Sequence, residues 1–205
     1  MKMLGKRLMV GVSLGAVLLA PCAARTAGGQ EVSAGGVLFI PDDKHGLYKD
    51  GYGGEVQYRY WLNEDWAVAV AAGVQRLNVE STDSKINGSA GRVDVYPVGA
   101  SLVYDFIDYE PFRVLLEGGV RYLFVDSQAT MVDVVGRQLD LKIDNGFTLV
   151  VGASAQYALT ENLRVFGAVH YQYDPNGEAI NTIYGPQRDN QFSSLLLQAG
   201  VSVNF

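Results

Sequence analysis

The chain has 205 residues, of which 48% are hydrophobic and 19% charged, with 16 basic against 22 acidic side chains and a formal net charge of −6. An acidic balance without a basic cluster excludes nucleic acid as a partner, because phosphate binding needs grouped Lys and Arg. A single cysteine, Cys22, leaves no intrachain disulfide and no cysteine-based metal site.

At the start, Lys2, Lys6 and Arg7 precede an apolar run from Leu8 to Ala20 and the small-residue stretch Pro21-Cys22-Ala23-Ala24. That order is the order of a secretory signal. The run is shorter than the about 20 apolar residues a spanning helix needs. The expected organisation is a cleavable signal over 1–24 and one domain over 25–205. A lipoprotein signal would carry Gly, Ala or Ser before its cysteine, and Pro21 stands there instead. Cleavage after Ala24 removes Lys2, Lys6 and Arg7 but no acid, so the remaining chain is more acidic still.

Beyond Ala24 no window shows apolar residues at helical spacing, whereas alternation with period 2 recurs. The clearest runs are Val56-Tyr58-Tyr60-Leu62, Tyr96-Val98-Ala100-Leu102-Tyr104-Phe106, Val114-Leu116-Gly118-Val120-Tyr122-Phe124 and Phe147-Leu149-Val151-Ala153-Ala155-Tyr157-Leu159. The pattern predicts strands over 31–40, 52–62, 66–80, 92–107, 112–126, 140–159, 163–173 and 192–205. Short turns fall at Asn63-Glu64-Asp65, around Asp108 to Pro111, and at Thr160-Glu161-Asn162, each rich in turn formers. Longer polar connections run from Pro41 to Gly51, Ser81 to Gly91, Ser127 to Asp140 and Asp174 to Gln191. An even strand number with short turns on one side and long loops on the other is the pattern of an eight-stranded, antiparallel, up-and-down transmembrane β-barrel, an all-β fold.

Successive strand side chains point to opposite faces, so each strand has an apolar and a polar or small wall. The second wall carries Glu55, Arg59, Asp105, Arg113, Glu117, Arg121 and Arg164 among Gly, Ala and Ser. Small residues suit a crowded lumen better than a water-facing surface, so these seven are expected to form an interior charge network. On the apolar wall, Tyr60, Trp66, Tyr104, Phe106, Tyr157 and Phe205 lie near the short turns, and Tyr96, Tyr122, Phe124, Phe147, Tyr171 and Tyr173 lie toward the long loops. Two aromatic belts around an aliphatic band fit a bilayer's two interfaces.

The chain closes on Leu197, Ala199, Val201, Val203 and Phe205 along one face. Together with the signal, the alternating strands and the segment Val95-Tyr96-Pro97-Val98-Gly99-Ala100-Ser101-Leu102-Val103-Tyr104, this end resembles the outer-membrane β-barrel superfamily of OmpA-, OmpX- and OmpW-like proteins. The resemblance implies a Gram-negative outer-membrane location reached through the periplasm. It also implies contact with outer-membrane lipid and lipopolysaccharide, and recognition of Val201, Val203 and Phe205 by the barrel-assembly machinery. No peptidoglycan-binding domain is expected after the barrel, and no cofactor or metal is implied.

His170 is placed on the polar wall with Arg164 and Gln172. Small barrels that deacylate lipid A carry a His two residues before a Ser, whereas the order here is His170-Tyr171-Gln172, so a hydrogen-bonded interior histidine is expected. His45 beside Asp42 and Asp43 reads as part of a solvated loop. The glycines within strands, Gly73, Gly99, Gly119, Gly152 and Gly200, share the lumen parity and are expected to make room for larger neighbours. An eight-stranded barrel is just wide enough to fill with side chains. The expected role is therefore structural or surface-interacting, without enzymatic activity. A narrow porin-like channel for small or apolar solutes is the alternative, and a lipid-modifying enzyme the third reading. The extracellular ligand is not identifiable from sequence.

Overall fold

The computed structural model describes residues 28–42, 50–79, 86–87, 91–127, 130–133, 138–140, 145–175, 178–182, 185–190 and 193–205. The expected signal, Cys22 and His45 lie outside the described residues.

Strands β1 (Gln30–Pro41), β2 (Gly51–Trp61), β3 (Trp66–Val79), β4 (Gly91–Tyr109), β5 (Phe112–Ser127), β6 (Gly146–Ala158), β7 (Leu163–Tyr173) and β8 (Ser194–Asn204) pair in chain order. All pairings are antiparallel, and β8 returns to β1 from Glu31↔Asn204 to Pro41↔Ser194, closing the barrel. Local chemistry sets the tight ends. Asn63 Oδ1 accepts from the backbone N–H of Asp65 (3.0 Å) and Trp66 (2.8 Å), and Thr160 Oγ1 accepts from the N–H of Leu163 (3.0 Å). Side-chain acceptors of this kind replace the backbone partners lost at a reversal.

Two boundaries differ from expectation. The sixth strand enters the barrel at Gly146, because Gln138–Asp140 pairs instead with Thr130–Asp133, which in turn pairs with Ile86–Asn87. Alternation alone could not separate a loop ribbon from a barrel strand, since both satisfy the same backbone groups. At the second short turn β4 runs on to Tyr109, which pairs with Phe112, and a bulge between Asp105 and Ile107 turns both Phe106 and Ile107 outward. Bulges insert one residue on one strand and break the alternation there.

The two walls are polarised against water solubility. Outward-facing Val70, Val98, Leu102, Val120, Leu149 and Val151 are exposed by 48–59%, whereas inward-facing Arg59, Arg113 and Arg121 are exposed by 4% or less. Such a surface is stable only against hydrocarbon, and closure leaves no unpaired strand edge there. Ring pairs mark both interfaces: Trp66 with Tyr104 (4.8 Å between centroids) and Phe112 with Tyr157 (5.1 Å) near the short turns, and Tyr122 with Phe124 (4.8 Å) and Phe147 (4.7 Å) toward the loops. The β3–β4 ladder has one interruption: pairing passes from Ala72↔Val98 to Gln75↔Val95 and skips Gly73, Val74, Tyr96 and Pro97. Proline has no N–H to give the ladder.

Candidate functional site

The chemistry of this barrel lies in its lumen. Nearest the short turns, Trp61, Ala67, Ala69, Val103 and Leu115 form a buried apolar cluster, and the Arg113 guanidinium sits 4.0 Å above the Trp61 ring. The ring's negative face attracts the cation and removes water from it.

Glu31 is the hub of the next layer. Its carboxylate meets Arg59 Nη1 at 2.5 Å and Arg113 Nη1 at 3.5 Å, and accepts from Gln156 Nε2 at 3.0 Å. Arg113 also bonds through Nε to Asp105 Oδ2 at 2.8 Å. The bulge makes this contact diagonal, because Asp105 is aligned with Leu115 and Arg113 with Asp108. Further up, Arg121 grips Glu55 through two contacts, Nη1–Oε2 at 2.8 Å and Nη2–Oε1 at 3.0 Å. Glu117 accepts from Gln57 Nε2 (2.9 Å) and Ser101 Oγ (2.7 Å), with His170 Nε2 at 3.5 Å.

Glycines make space for these side chains. A Cβ at Gly99 would stand 2.6 Å from Arg121 Cγ, and one at Gly152 would strike the His170 ring. What space remains beside Glu117 and Arg121 is about 10 Å³. That is enough for about one water molecule.

Of the seven interior residues expected from sequence, the structure brings Arg59, Asp105 and Arg113 together around Glu31 and joins Glu55 to Arg121. Glu117 sits apart among neutral donors, and Arg164 is buried at the short-turn end with no carboxylate in ion-pair range among the described residues. Sequence reasoning missed Glu31, and it set Gln57 and Gln156 on the polar wall without joining them to the charge network. Glu31 opens its strand, where an acid reads as a boundary, although its parity with Ser33 and Gly35 was the available signal. Val201 and Val203 lie on the outer side of the strand that closes the barrel, and Phe205 follows its last residue, with the Phe205 N–H donating to Gln30 O at 3.0 Å. His170 lies in the lumen, and the described residues contain no group of three or more His, Cys, Asp or Glu placed to hold a metal.

The model of the outer membrane protein β-barrel domain family matches residues 10–205. The chain belongs to that family. It is an integral outer-membrane β-barrel protein, in keeping with the expected superfamily. Among solved structures the barrel is similar to the outer membrane protein OprG from Pseudomonas aeruginosa, at 16% identity and a TM-score of 0.67, covering 88% of this chain and 97% of that one. It is also similar to Neisserial surface protein A (19%, TM-score 0.53, 88% and 98% covered) and to a major outer membrane protein from Thermus thermophilus (17%, TM-score 0.53, 86% and 99% covered). At these identities the likeness is one of fold. A comparison with curated proteins finds no match.

Proposed function

We propose that this member of the outer-membrane barrel family is a non-enzymatic structural and surface-interaction protein. In this reading the strand ends at Pro41, Val79, Ser127 and Tyr173 face the cell exterior. The observation that carries this reading is the crossing of the lumen by side chains: Arg121 with Glu55, and Glu31 with Arg59 and Arg113, above an apolar floor at Trp61. A lumen filled in this way resists a continuous water column. Lipopolysaccharide around the outer wall and the assembly machinery at Val201, Val203 and Phe205 are the partners that the family setting supports. Single-channel recording of the refolded protein in planar bilayers tests the reading. Silence across the voltage range is expected, and stepwise ion conductance would overturn it.

One observation favours the second reading, a narrow path for apolar solutes. The loop-side lumen carries Val37, Phe39, Leu77, Val93, Leu123 and Leu196 beside the buried polar Gln75, Thr148 and Gln172, and the nearby β3–β4 ladder is interrupted at Pro97. An apolar solute entering there could leave sideways into lipid without passing the charged layers. Uptake of a small alkane into liposomes that holds in the wild type and falls in Pro97→Val would establish this reading. Lipid A deacylation by the purified protein would bring back the enzymatic one.

A further inference from the structure

The inward-facing charges of the strands balance among the described residues, with Arg59, Arg113, Arg121 and Arg164 against Glu31, Glu55, Asp105 and Glu117. Most are joined to one another, Glu31 to Arg59 and Arg113, Asp105 to Arg113, and Glu55 to Arg121. Glu117 is the carboxylate left without an arginine in ion-pair range among these residues, and Arg59 acts on it only at longer range. The base beside it is His170, with Nε2 3.5 Å from Oε2.

Three strands build this contact. Glu117, Gly152 and His170 are aligned in one inward row across β5, β6 and β7. The middle position carries no side chain, and a Cβ there would strike the His170 ring, so the ring reaches over Gly152 toward the carboxylate. Both side chains are buried, and His170 Nε2 has no hydrogen-bond partner. Around the pair, β1 presents Glu31 to the lumen, β2 Glu55 and Arg59, β4 Asp105, and β5 also Arg113 and Arg121, all of them in the ion pairs above. On β7 itself Arg164 and, just past its end, the buried Asp174 lie away toward the two ends of the strand, while β3, β6 and β8 present no titratable side chain to the lumen among the described residues.

Histidine is the side-chain type whose charge changes between about pH 5 and 8. We propose that Glu117 and His170 form a proton-operated latch in the lumen. A proton taken up from bulk water by the His170 ring leaves N–H donors on both nitrogens, and the Nε2 donor closes on Glu117 Oε2 as a charge-assisted hydrogen bond. The bond ties β7 to β5 and, through the Gln57 and Ser101 donors that already hold Glu117, to β2 and β4. The added charge meets the carboxylate that lacks an arginine, so it enters the lumen with a partner in place. With the ring neutral the latch is open, and Glu117 rests on its neutral donors alone. The filled lumen is therefore held more firmly in mildly acidic surroundings than in alkaline ones.

The test is a double-mutant cycle of Glu117→Gln and His170→Gln, read by urea unfolding of the refolded chain in detergent at about pH 8 and about pH 5. At the higher pH the two losses should add. At the lower pH they should be coupled by about tenfold in the unfolding equilibrium constant, the scale of a hydrogen bond to a charged group. His45 is common to every variant and cancels. Heat-dependent migration in detergent gels reports that each variant is folded. Coupling that is equal at the two pH values, or larger at the higher one, overturns the latch. If Glu117→Gln does not fold, His170→Gln and His170→Asn decide: each should lose more stability relative to the wild type at about pH 5 than at about pH 8, and equal or smaller losses at the lower pH overturn the proposal.

Discussion

Arg121 on β5 and Glu55 on β2 are joined by two contacts, at 2.8 and 3.0 Å, although their strands are not neighbours in the sheet. The pair spans the lumen, so it ties opposite walls together in a way no ladder hydrogen bond can. Both groups are buried, and removing one leaves the other charged in a dry setting. Glu55→Gln should lower stability by about 3–5 kcal/mol, the range for breaking a buried pair from one side. Urea unfolding in detergent measures it. In a double-mutant cycle, Glu55→Gln combined with Arg121→Met should recover a large part of the loss. Independent, additive effects would show that the two residues do not act as a pair.

Glu117 should behave differently, because its nearest hydrogen-bond donors, Gln57 and Ser101, are neutral and His170 stands at 3.5 Å. An amide at this position can still accept from them. Glu117→Gln is expected to cost about 0.5–1.5 kcal/mol, the scale of one ordinary hydrogen bond. A loss as large as that of Glu55→Gln would mean that Glu117 carries an ion pair essential to the fold.

The two tryptophans occupy opposite walls. Trp66 is outward-facing and 42% exposed, while Trp61 is inward-facing and 4% exposed beneath Arg113. In bilayers containing brominated lipid, the wild-type emission should be strongly quenched through Trp66. The Trp66→Phe variant should retain emission that resists both brominated lipid and acrylamide. Strong quenching of that remaining emission by the lipid would place Trp61 on the outer wall and reverse the polarity of β2.

Glycines on the two faces should tolerate a methyl group unequally. An added Cβ at Gly118 meets nothing within 4 Å, whereas at Gly152 it collides with the His170 ring. Gly118→Ala is expected within about ±0.5 kcal/mol of the parent, as for an open surface site. Gly152→Ala should cost about 1–3 kcal/mol through overpacking. Equal effects in urea unfolding would argue that the lumen is loose enough to absorb the methyl group.

Phe205 follows the last residue of the strand that closes the barrel, and its backbone is bonded to Gln30 in both directions, at 3.0 and 3.2 Å. Deleting it should reduce the heat-modifiable, membrane-inserted form while leaving export unchanged. Normal outer-membrane amounts of the truncated chain would remove the proposed insertion role of this end.

Alternation from Val56 to Leu62 or from Phe147 to Leu159 determined, without any structure, that these segments are strands with one lipid-compatible wall, because a period of 2 is set by the backbone itself. Turn chemistry at Asn63 and Thr160 fixed where the chain reverses, since those side chains act on groups only two or three residues away. The same parity placed Glu55, Arg59, Asp105, Arg113, Glu117, Arg121 and Arg164 on one wall, but parity assigns a face and not a partner. Which charges meet depends on barrel closure and shear, which bring Glu31 of the first strand against Arg113 of the fifth and Glu55 against Arg121 across the lumen. The bulge after Asp105 and the loop ribbon at Gln138–Asp140 were likewise decided by pairing, the ribbon through Thr130–Asp133 to the distant Ile86–Asn87. So was the isolation of Arg164: the acids that could have neutralised it are drawn to other arginines by contacts that exist only once the barrel has closed.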